Sequence, residues 1–281
     1  MRYGITIFAT DRSMDPVALA VEAEARGFDS FYLPEHTHIP VSRRTPAPTG
    51  DTELPEEYRR TLDPFVVLAA AAQATDTLTV GTGIALVAQR DAITTAKAAA
   101  TLDRLSNGRL VLGIGFGWNR EEMADHGIDY GRRRAVVRET MLAMRTLWSE
   151  DVAGFQGEFI SFEPSWQYPK PHRAGGPTVL LGGGAGPKLF SHIVEYTDGW
   201  IPIGGAGLTA ALPNLHQEWT EAGRDVADLH VVPFGSLPSA EKLEHFALIG
   251  VTEVVFRLPS APRDQVLPIL EQQAALLPSA P

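Results

Sequence analysis

Four consecutive residues, Glu35-His36-Thr37-His38, follow directly on Pro34 and bring titratable groups to the end of a short apolar run, Ser30–Leu33. An apolar run that breaks at proline into acid and imidazole reads as a buried strand delivering its last residues to a polar mouth. Three chemistries are open to it. His36 and His38 stand two apart, and alternate residues of an extended segment point the same way. They could therefore share one metal ion, as in barrel-based metal-dependent hydrolases. Such a site needs further ligands from later strands, yet the run DGWIPI (Asp198–Ile203) has no His and EVVFRL (Glu253–Leu258) has no Asp. Alternatively, His36 faces the mouth alone as a hydrogen-bond donor or proton carrier, which suits imidazole. In the plainest reading both histidines are solvated loop residues.

Three glycine-rich stretches stand at comparable places. Val80–Leu86 reads VGTGIAL, with Thr82, Gly83 and Ile84 at its end. Glycine weakens a strand unless the backbone must bend or something must approach closely. The stretch is either a bulge under a flat ligand or a bend with no ligand. Gly113–Asn119, GIGFGWN, offers Gly115, Phe116 and Trp118 as a wall and Asn119 as an amide for ring polar atoms. Leu181–Leu189, LGGGAGPKL, places Gly182, Gly183, Gly184 and Gly186 before Pro187, a good first helical residue, with Lys188 beside it. Successive backbone N–H groups at a helix start suit a phosphate, and that reading is preferred to a plain turn. His126, His172, His192, His216, His230 and His245 share no spacing and read as surface or satisfied core residues. Arg132-Arg133-Arg134 opens a helix, where positive charge opposes the macrodipole. A solvated face is expected there, with an acidic ligand tail or a partner subunit as the other reading.

These residues must be positioned by a scaffold. With 281 residues and 44% hydrophobic content the chain can bury a sizeable core in one large domain or two small ones. The formal charge of −10, with no basic run longer than Arg132–Arg134, argues against nucleic acid or an anionic membrane as partner. The absence of cysteine removes disulfides, thiolate catalysis and Cys-ligated metals. No apolar run approaches the roughly 20 residues of a membrane span, and the start, MRYGITIF, is not a secretory signal. A soluble cytoplasmic protein is expected.

Short apolar runs alternate with helical patterns. Strands are expected at Tyr3–Ala9, Ser30–Leu33, Leu78–Val87, Arg109–Ile114, Thr178–Leu181, Gly199–Ile203, Leu229–Phe234 and Glu253–Leu258. Helices are expected over Val17–Arg26, Pro64–Ala74, Asp91–Leu105, Arg132–Trp148, Pro187–Tyr196, Leu208–Ala222, Ala240–Ile249 and Arg263–Leu277. Two stretches fall outside this alternation. Residues 39–60 read as a long loop. Residues 154–176 interrupt between the fourth helix and the fifth strand, with a small hairpin over Gly154–Phe162. Eight strand–helix units without a linker point to a single α/β domain, a (β/α)8 TIM barrel with that insertion. A doubly wound sheet is the alternative, but the first β–α turn, Phe8–Ser13, has no glycine fingerprint. In a barrel, function gathers at the C-terminal strand ends. Those are Pro34–His38, Gly83–Gln89, Gly115–Asn119, Gly182–Gly186 and Pro202–Gly207.

Taken together, ARGFDSFYLPEH, the long stretch from LDPFVVLAAAAQ through VGTGIALVAQRD to LGIGFGWNREEM, and LLGGGAGPKLFSHIVEYTDGWIP resemble the luciferase-like monooxygenase superfamily. The likeness is nearest its branch using the deazaflavin coenzyme F420, and it covers most of residues 1–205. The resemblance implies that Glu35-His36 lies by the deazaflavin ring, with His36 assisting proton movement. It implies a non-prolyl cis peptide at Gly83–Ile84 behind the ring, within a Thr82–Ile84 cofactor wall. It places Gly115, Phe116 and Asn119 against the coenzyme, and Gly182, Gly183, Gly184, Gly186 and Lys188 at its phosphate. One departure stands out. A sugar-phosphate dehydrogenase of the family carries a catalytic Glu where this chain has Phe116, so a sugar phosphate is not the expected substrate. Glu121 and Glu122 nearby read as helix-start residues. The activity implied is hydride transfer between coenzyme F420 and a small organic substrate, in a homodimer. An FMN-dependent monooxygenase of the same superfamily and a non-catalytic deazaflavin carrier are the alternatives. The substrate pocket, formed by loops 39–60 and 154–176, is not legible.

Overall fold

The computed structural model describes residues 1–47 and 53–278. Part of the 39–60 loop, residues 48–52, therefore lies outside the described residues. The first half of the fold runs β1 (Arg2–Thr6), α1 (Pro16–Ala25), β2 (Ser30–Leu33), α2 (Pro64–Ala74), β3 (Thr79–Ala85), α3 (Ala92–Leu105), β4 (Leu110–Ile114), α4 (Arg120–Asp125) and α5 (Arg133–Ser149). The second half runs β5 (Ala153–Gln156), β6 (Ser161–Ser165), β7 (Thr178–Leu181), α6 (Pro187–Tyr196), β8 (Gly199–Trp200), α7 (Leu208–Glu221), β9 (His230–Val231), β10 (Phe234–Ser236), α8 (Ala240–Leu248), β11 (Glu253–Arg257) and α9 (Arg263–Ala274).

Local chemistry sets the helix starts. The side chains of Asp15, Asp63 and Asp91 accept from the N–H groups of Ala18, Val66 and Thr94. Two of these caps are followed by proline at the first helical position, which needs no hydrogen bond for its missing N–H. Each cap of this kind contributes about 1 kcal/mol to its helix.

The strands form a curled, all-parallel nine-stranded sheet in the order β10-β11-β1-β2-β3-β4-β7-β8-β9. Its two ends are consecutive in the chain. Only Val232 and Pro233 separate β9 from β10, and Pro233, which lacks an N–H, interrupts the ladder there. The Pro233 carbonyl still accepts from Val255 N–H at 3.0 Å, and Phe234 N–H donates to Pro202 O at 2.7 Å. Side chains alternate across the sheet. Phe31, Leu33, Leu112, Ile114, Leu181, Val254 and Phe256 join the large core under the helices. Their neighbours Tyr32, Val111, Leu180 and Val255 join Ile201 and Val232 in a second cluster on the opposite face. Strands buried on both faces have no reason to alternate in polarity, and β2 (SFYL) and β4 (LVLGI) are buried throughout.

Several boundaries differ from the sequence expectation. Between β4 and α5 a short helix, α4, forms that the set of expected helices lacks, capped by the Asn119 side chain. The strands expected at Gly199–Ile203 and Leu229–Phe234 shrink to β8 and to β9 with β10, since Pro202 and Pro233 cannot donate to a ladder. The hairpin expected over Gly154–Phe162 forms a separate antiparallel pair, β5 with β6, extending to Ser165. Among the described residues no helix is long and apolar enough to cross a membrane.

Candidate active site

A cavity of about 580 Å³ opens where β1, β2, β3, β4, β7, β10 and β11 end. Of the residues expected at the cofactor, Glu35, His36, Gly83, Ile84, Gly115, Phe116, Gly182 and Gly183 line it, and so does Trp118. Thr82, Asn119, Gly184, Gly186 and Lys188 do not.

His36 is fixed at two points. Its Nδ1 lies 2.8 Å from Oε2 of Glu122, and its carbonyl accepts from Thr61 Oγ1 at 2.8 Å. Glu122 is fully buried. Its other oxygen, Oε1, accepts from Thr37 N–H at 3.0 Å and, more weakly, from the Thr37 hydroxyl at 3.4 Å. A carboxylate facing Nδ1 holds the proton there and leaves Nε2, which makes no hydrogen bond among the described residues, with its lone pair. The imidazole is boxed by Tyr58 and Trp118, with ring centroids 5.4 and 5.6 Å away. Burial raises the Tyr58 phenol above its ordinary pKa, so it is a neutral wall at physiological pH. His38 turns the other way, to Asp125 at 3.0 Å, and His126 meets the Thr37 hydroxyl at 2.7 Å. The two histidines that could have shared an ion thus address different carboxylates.

Glu35 sits beside His36 but performs a different task. Its buried carboxylate accepts from Leu86 N–H at 2.7 Å and from Arg90 Nε at 2.6 Å, and Arg90 also reaches Asp63 at 2.7 Å. Glu35 therefore ties the end of β2 to the turn after β3. The last residues of β3, just before that turn, carry the cis peptide between Gly83 and Ile84. A Cβ on Gly83 would meet the Phe234 ring at 2.1 Å, and one on Gly115 would meet Ile84 Cδ1 at 2.5 Å. Both glycines are thus fixed by close packing of β3, β4 and β10. Thr82 is fully buried and donates to Gly113 O at 2.7 Å, which bonds β3 to β4 rather than presenting a hydroxyl to the cavity.

At the fifth-strand glycines, Gly182 N–H is already used by Ile114 O at 2.8 Å. The N–H groups of Gly183, Gly184 and Gly186 make no hydrogen bond among the described residues, and α6 begins immediately after them. Trp200 Nε1 fixes the turn by donating to Gly183 O at 3.0 Å. Lys188 is exposed in the first turn of α6. Asn119 is buried, caps α4, and leaves its Nδ2 without a partner.

Sequence reasoning missed two sets of residues. Glu122 was expected only as a helix-start residue; it is one, but its carboxylate crosses to β2. The signal was the spacing Asn119-x-x-Glu122, which is that of a capping box whose acid normally turns back to its own cap. Arg133 and Arg134 were expected on a solvated face, but both line the cavity. The Arg134 guanidinium lies over the Phe116 ring at 4.3 Å, and His192 packs on Phe116 as well, at 5.3 Å. Burial, and then the Arg134 charge, lower the pKa of His192. A further clamp ties the segment after β2 to the start of α4. Glu121 accepts from Thr45 Oγ1 at 2.7 Å and from Arg44 N–H at 3.0 Å, and these bonds hold its pKa down at about 2.

The curled parallel sheet with its site at the strand ends, and the sequence itself, define the class: the chain belongs to the luciferase-like monooxygenase family, whose sequence model matches residues 9–246. It is 44% identical over 280 residues to an uncharacterized protein of Mycobacterium tuberculosis, covering 99% of both chains. It is 29% identical over 195 residues to an F420-dependent glucose-6-phosphate dehydrogenase of Intrasporangium calvum, covering 66% of this chain and 53% of that protein. Among solved structures, an F420-dependent secondary alcohol dehydrogenase in complex with an F420–acetone adduct superposes with a TM-score of 0.78 at 19% identity, covering 99% of each chain. A monooxygenase from Streptomyces bottropensis superposes with a TM-score of 0.80 at 18% identity, covering 99% and 98%. The family thus includes F420-dependent oxidoreductases and flavin monooxygenases.

Proposed function

We propose that this chain is a single-domain (β/α)8 barrel that binds coenzyme F420 and catalyses hydride transfer to or from a small organic substrate. The observation that carries this reading is the buried Glu122 carboxylate holding His36 by Nδ1 in the wall of the cavity. The residues present fit the cofactor. A cavity of about 580 Å³ with a largely apolar lining suits a flat tricyclic ring and a small partner. The unpaired N–H groups of Gly183, Gly184 and Gly186 at the start of α6 suit its phosphate. The F420 in the names of two relatives is consistent with a deazaflavin as the cofactor.

When bound, the deazaflavin supplies a two-electron hydride donor or acceptor. His36 does the remaining proton work: its Nε2 takes a proton from an alcohol undergoing oxidation, or returns one to a carbonyl undergoing reduction. Glu122 keeps the imidazole in that tautomer and orientation. Phe8, Tyr58, Ile203, Phe234 and Leu258 exclude water from the remaining face and select an apolar substrate. Phe116, set between Arg134 and His192, offers no acid. The barrel reading rests on the two sheet ends meeting through Val232-Pro233. A cytoplasmic homodimer accompanies it by resemblance to the family.

The test is turnover of a panel of secondary alcohols and ketones, followed by the deazaflavin chromophore, with the wild type and His36→Ala. The proposal expects His36→Ala to bind the cofactor and to lose about 10²–10⁴ in kcat. Unchanged turnover in that variant removes His36 from the chemistry.

A further inference from the structure

Outside the cavity, the Thr37 hydroxyl stands among three groups that can claim its single proton. His126 Nε2 lies 2.7 Å from it, His38 Nδ1 3.0 Å, and Oε1 of Glu122 3.4 Å. On its far side His38 turns Nε2 to Asp125 Oδ2 at 3.0 Å, and the rings of His38 and His126 are 5.6 Å apart. Thr37 and His38 are exposed, whereas Glu122 is fully buried and holds His36 by Nδ1. The cluster thus joins solvent to the carboxylate that orients the cavity imidazole. The other charged groups of the two segments that meet here are Arg43, Arg44, Arg120 and Glu121. Arg43 lies over Trp118, Arg120 lies over Tyr130, and Glu121 accepts from Thr45 Oγ1 and Arg44 N–H.

A hydroxyl donates once and accepts twice. While His38 is neutral, the Asp125 carboxylate keeps its proton on Nε2 and leaves a lone pair on Nδ1. The Thr37 hydroxyl then gives its proton to Nδ1, and His126 must donate from Nε2. Glu122 Oε1 is left with the Thr37 N–H at 3.0 Å as its donor. When His38 gains a proton, its Nδ1 becomes a donor. The hydroxyl oxygen now receives from both imidazoles, and Glu122 Oε1 is the one acceptor left for its proton. A second donor on that oxygen draws charge from the carboxylate, which then supports a positive imidazole on His36 less well. The charge on His38 acts in the same direction through space.

We propose that Thr37, His38 and His126 are positioning residues for His36: the charge on His38 turns the Thr37 hydroxyl toward Glu122 and so sets how readily His36 takes a proton. One proton binds His38 from solvent, and one hydroxyl proton changes acceptor; neither reaches the substrate. The proposal rests on the reading of His36 as the base only for its effect on turnover. The coupling itself belongs to the protein without cofactor. One ordinary hydrogen bond gained by Glu122 corresponds to about three- to tenfold in the proton affinity of His36. Acidification through the titration of His38 lowers that affinity by this factor.

The experiment is a pH titration of nitrogen-15 imidazole resonances in the apo wild type, Thr37→Val and His38→Ala. Thr37→Val keeps the N–H bond to Glu122 and both outer histidines, and removes only the hydroxyl. His38→Ala leaves the hydroxyl proton to Glu122 at every pH. In the wild type the His36 resonances are expected to show a second inflection at the pH where His38 titrates. Both variants are expected to lose it, with shifts of opposite sign. Thr37→Val holds the His36 proton more tightly than His38→Ala, by about three- to tenfold. A merely structural role would move both variants the same way. With F420 and a secondary alcohol, the pH profile of kcat/KM should carry the same inflection in the wild type and lack it in both variants. If the wild type turns over no substrate with F420, the functional reading fails and the resonances alone decide the proposal. An inflection that survives in Thr37→Val leaves only the direct field of His38 and overturns the proposal. So does its absence from the wild type, or a His126 that presents its Nε2 lone pair to Thr37 once His38 is charged.

Discussion

Glu122→Gln changes one atom of a buried side chain and reverses the proton on His36. In the wild type both carboxylate oxygens accept, one from His36 Nδ1 at 2.8 Å and one from Thr37 N–H at 3.0 Å. Glutamine has a single acceptor oxygen and an NH2 that can only donate. Thr37 N–H is a backbone donor and cannot change role, so the amide oxygen must stay with it. The amide nitrogen then faces His36 Nδ1, which can receive it only as an unprotonated acceptor. The imidazole proton moves to Nε2, and the lone pair needed for proton abstraction is lost. Replacing a charge-assisted bond by a neutral one costs about 1–2 kcal/mol of stability, a modest fall in Tm. Loss of the general base costs about 10²–10⁴ in kcat, far more than the stability change implies. The assay combines nitrogen-15 imidazole spectra, which report the tautomer without any substrate, with turnover and thermal melts. A variant that keeps the wild-type tautomer, or keeps kcat within about threefold, refutes the reasoning.

Three other perturbations test the supporting parts. Glu253 is buried at the start of β11, accepts from Ser30 Oγ at 2.5 Å, and has its pKa raised above 4.5 by burial. A carboxyl whose folded pKa is raised contributes stability below its unfolded pKa and loses it as pH rises through the folded one. Glu253→Gln should therefore melt higher than wild type at pH 7, with the gap closing as pH falls toward 4.5; a constant or reversed gap contradicts this. Gly83→Ala forces the Phe234 ring aside from a 2.1 Å contact and should cost about 1–3 kcal/mol in urea unfolding together with weaker cofactor binding. Glu35→Ala leaves Leu86 N–H unpaired and Arg90 with Asp63 alone, so unfolding in urea should show a loss of about 3 kcal/mol. Loss of cofactor affinity with no change in unfolding would make Glu35 a ligand contact instead of a brace.

The parts of this fold legible in the sequence are those set by neighbours along the chain. Asp15-Pro16, Asp63-Pro64 and Asp91 announce their helices because a cap acts within three residues. The runs SFYL and LVLGI read as buried strands because no position in them tolerates water. The four motif stretches around the mouth could be placed because strand ends and glycines mark themselves. Contacts across the chain could not be read. His36 and Glu122 stand 86 residues apart, and nothing local says that the acid leaves its own cap for β2. Arg133 and Arg134 follow a run of charge that looks solvated until Tyr130 and Phe116 are seen beneath it. The short ladders at β8, β9 and β10 were overcalled because apolar content was visible, while the cost of Pro202 and Pro233 to pairing depends on where each neighbour stands.

The central claim is tested most directly by titrating the purified apo protein with coenzyme F420 and, separately, with FMN, following cofactor fluorescence. The account predicts saturable F420 binding at micromolar concentration or tighter, on the order of −8 kcal/mol, with FMN weaker by at least about tenfold. Tight FMN binding with no response to F420 contradicts it and assigns the cavity to a flavin monooxygenase.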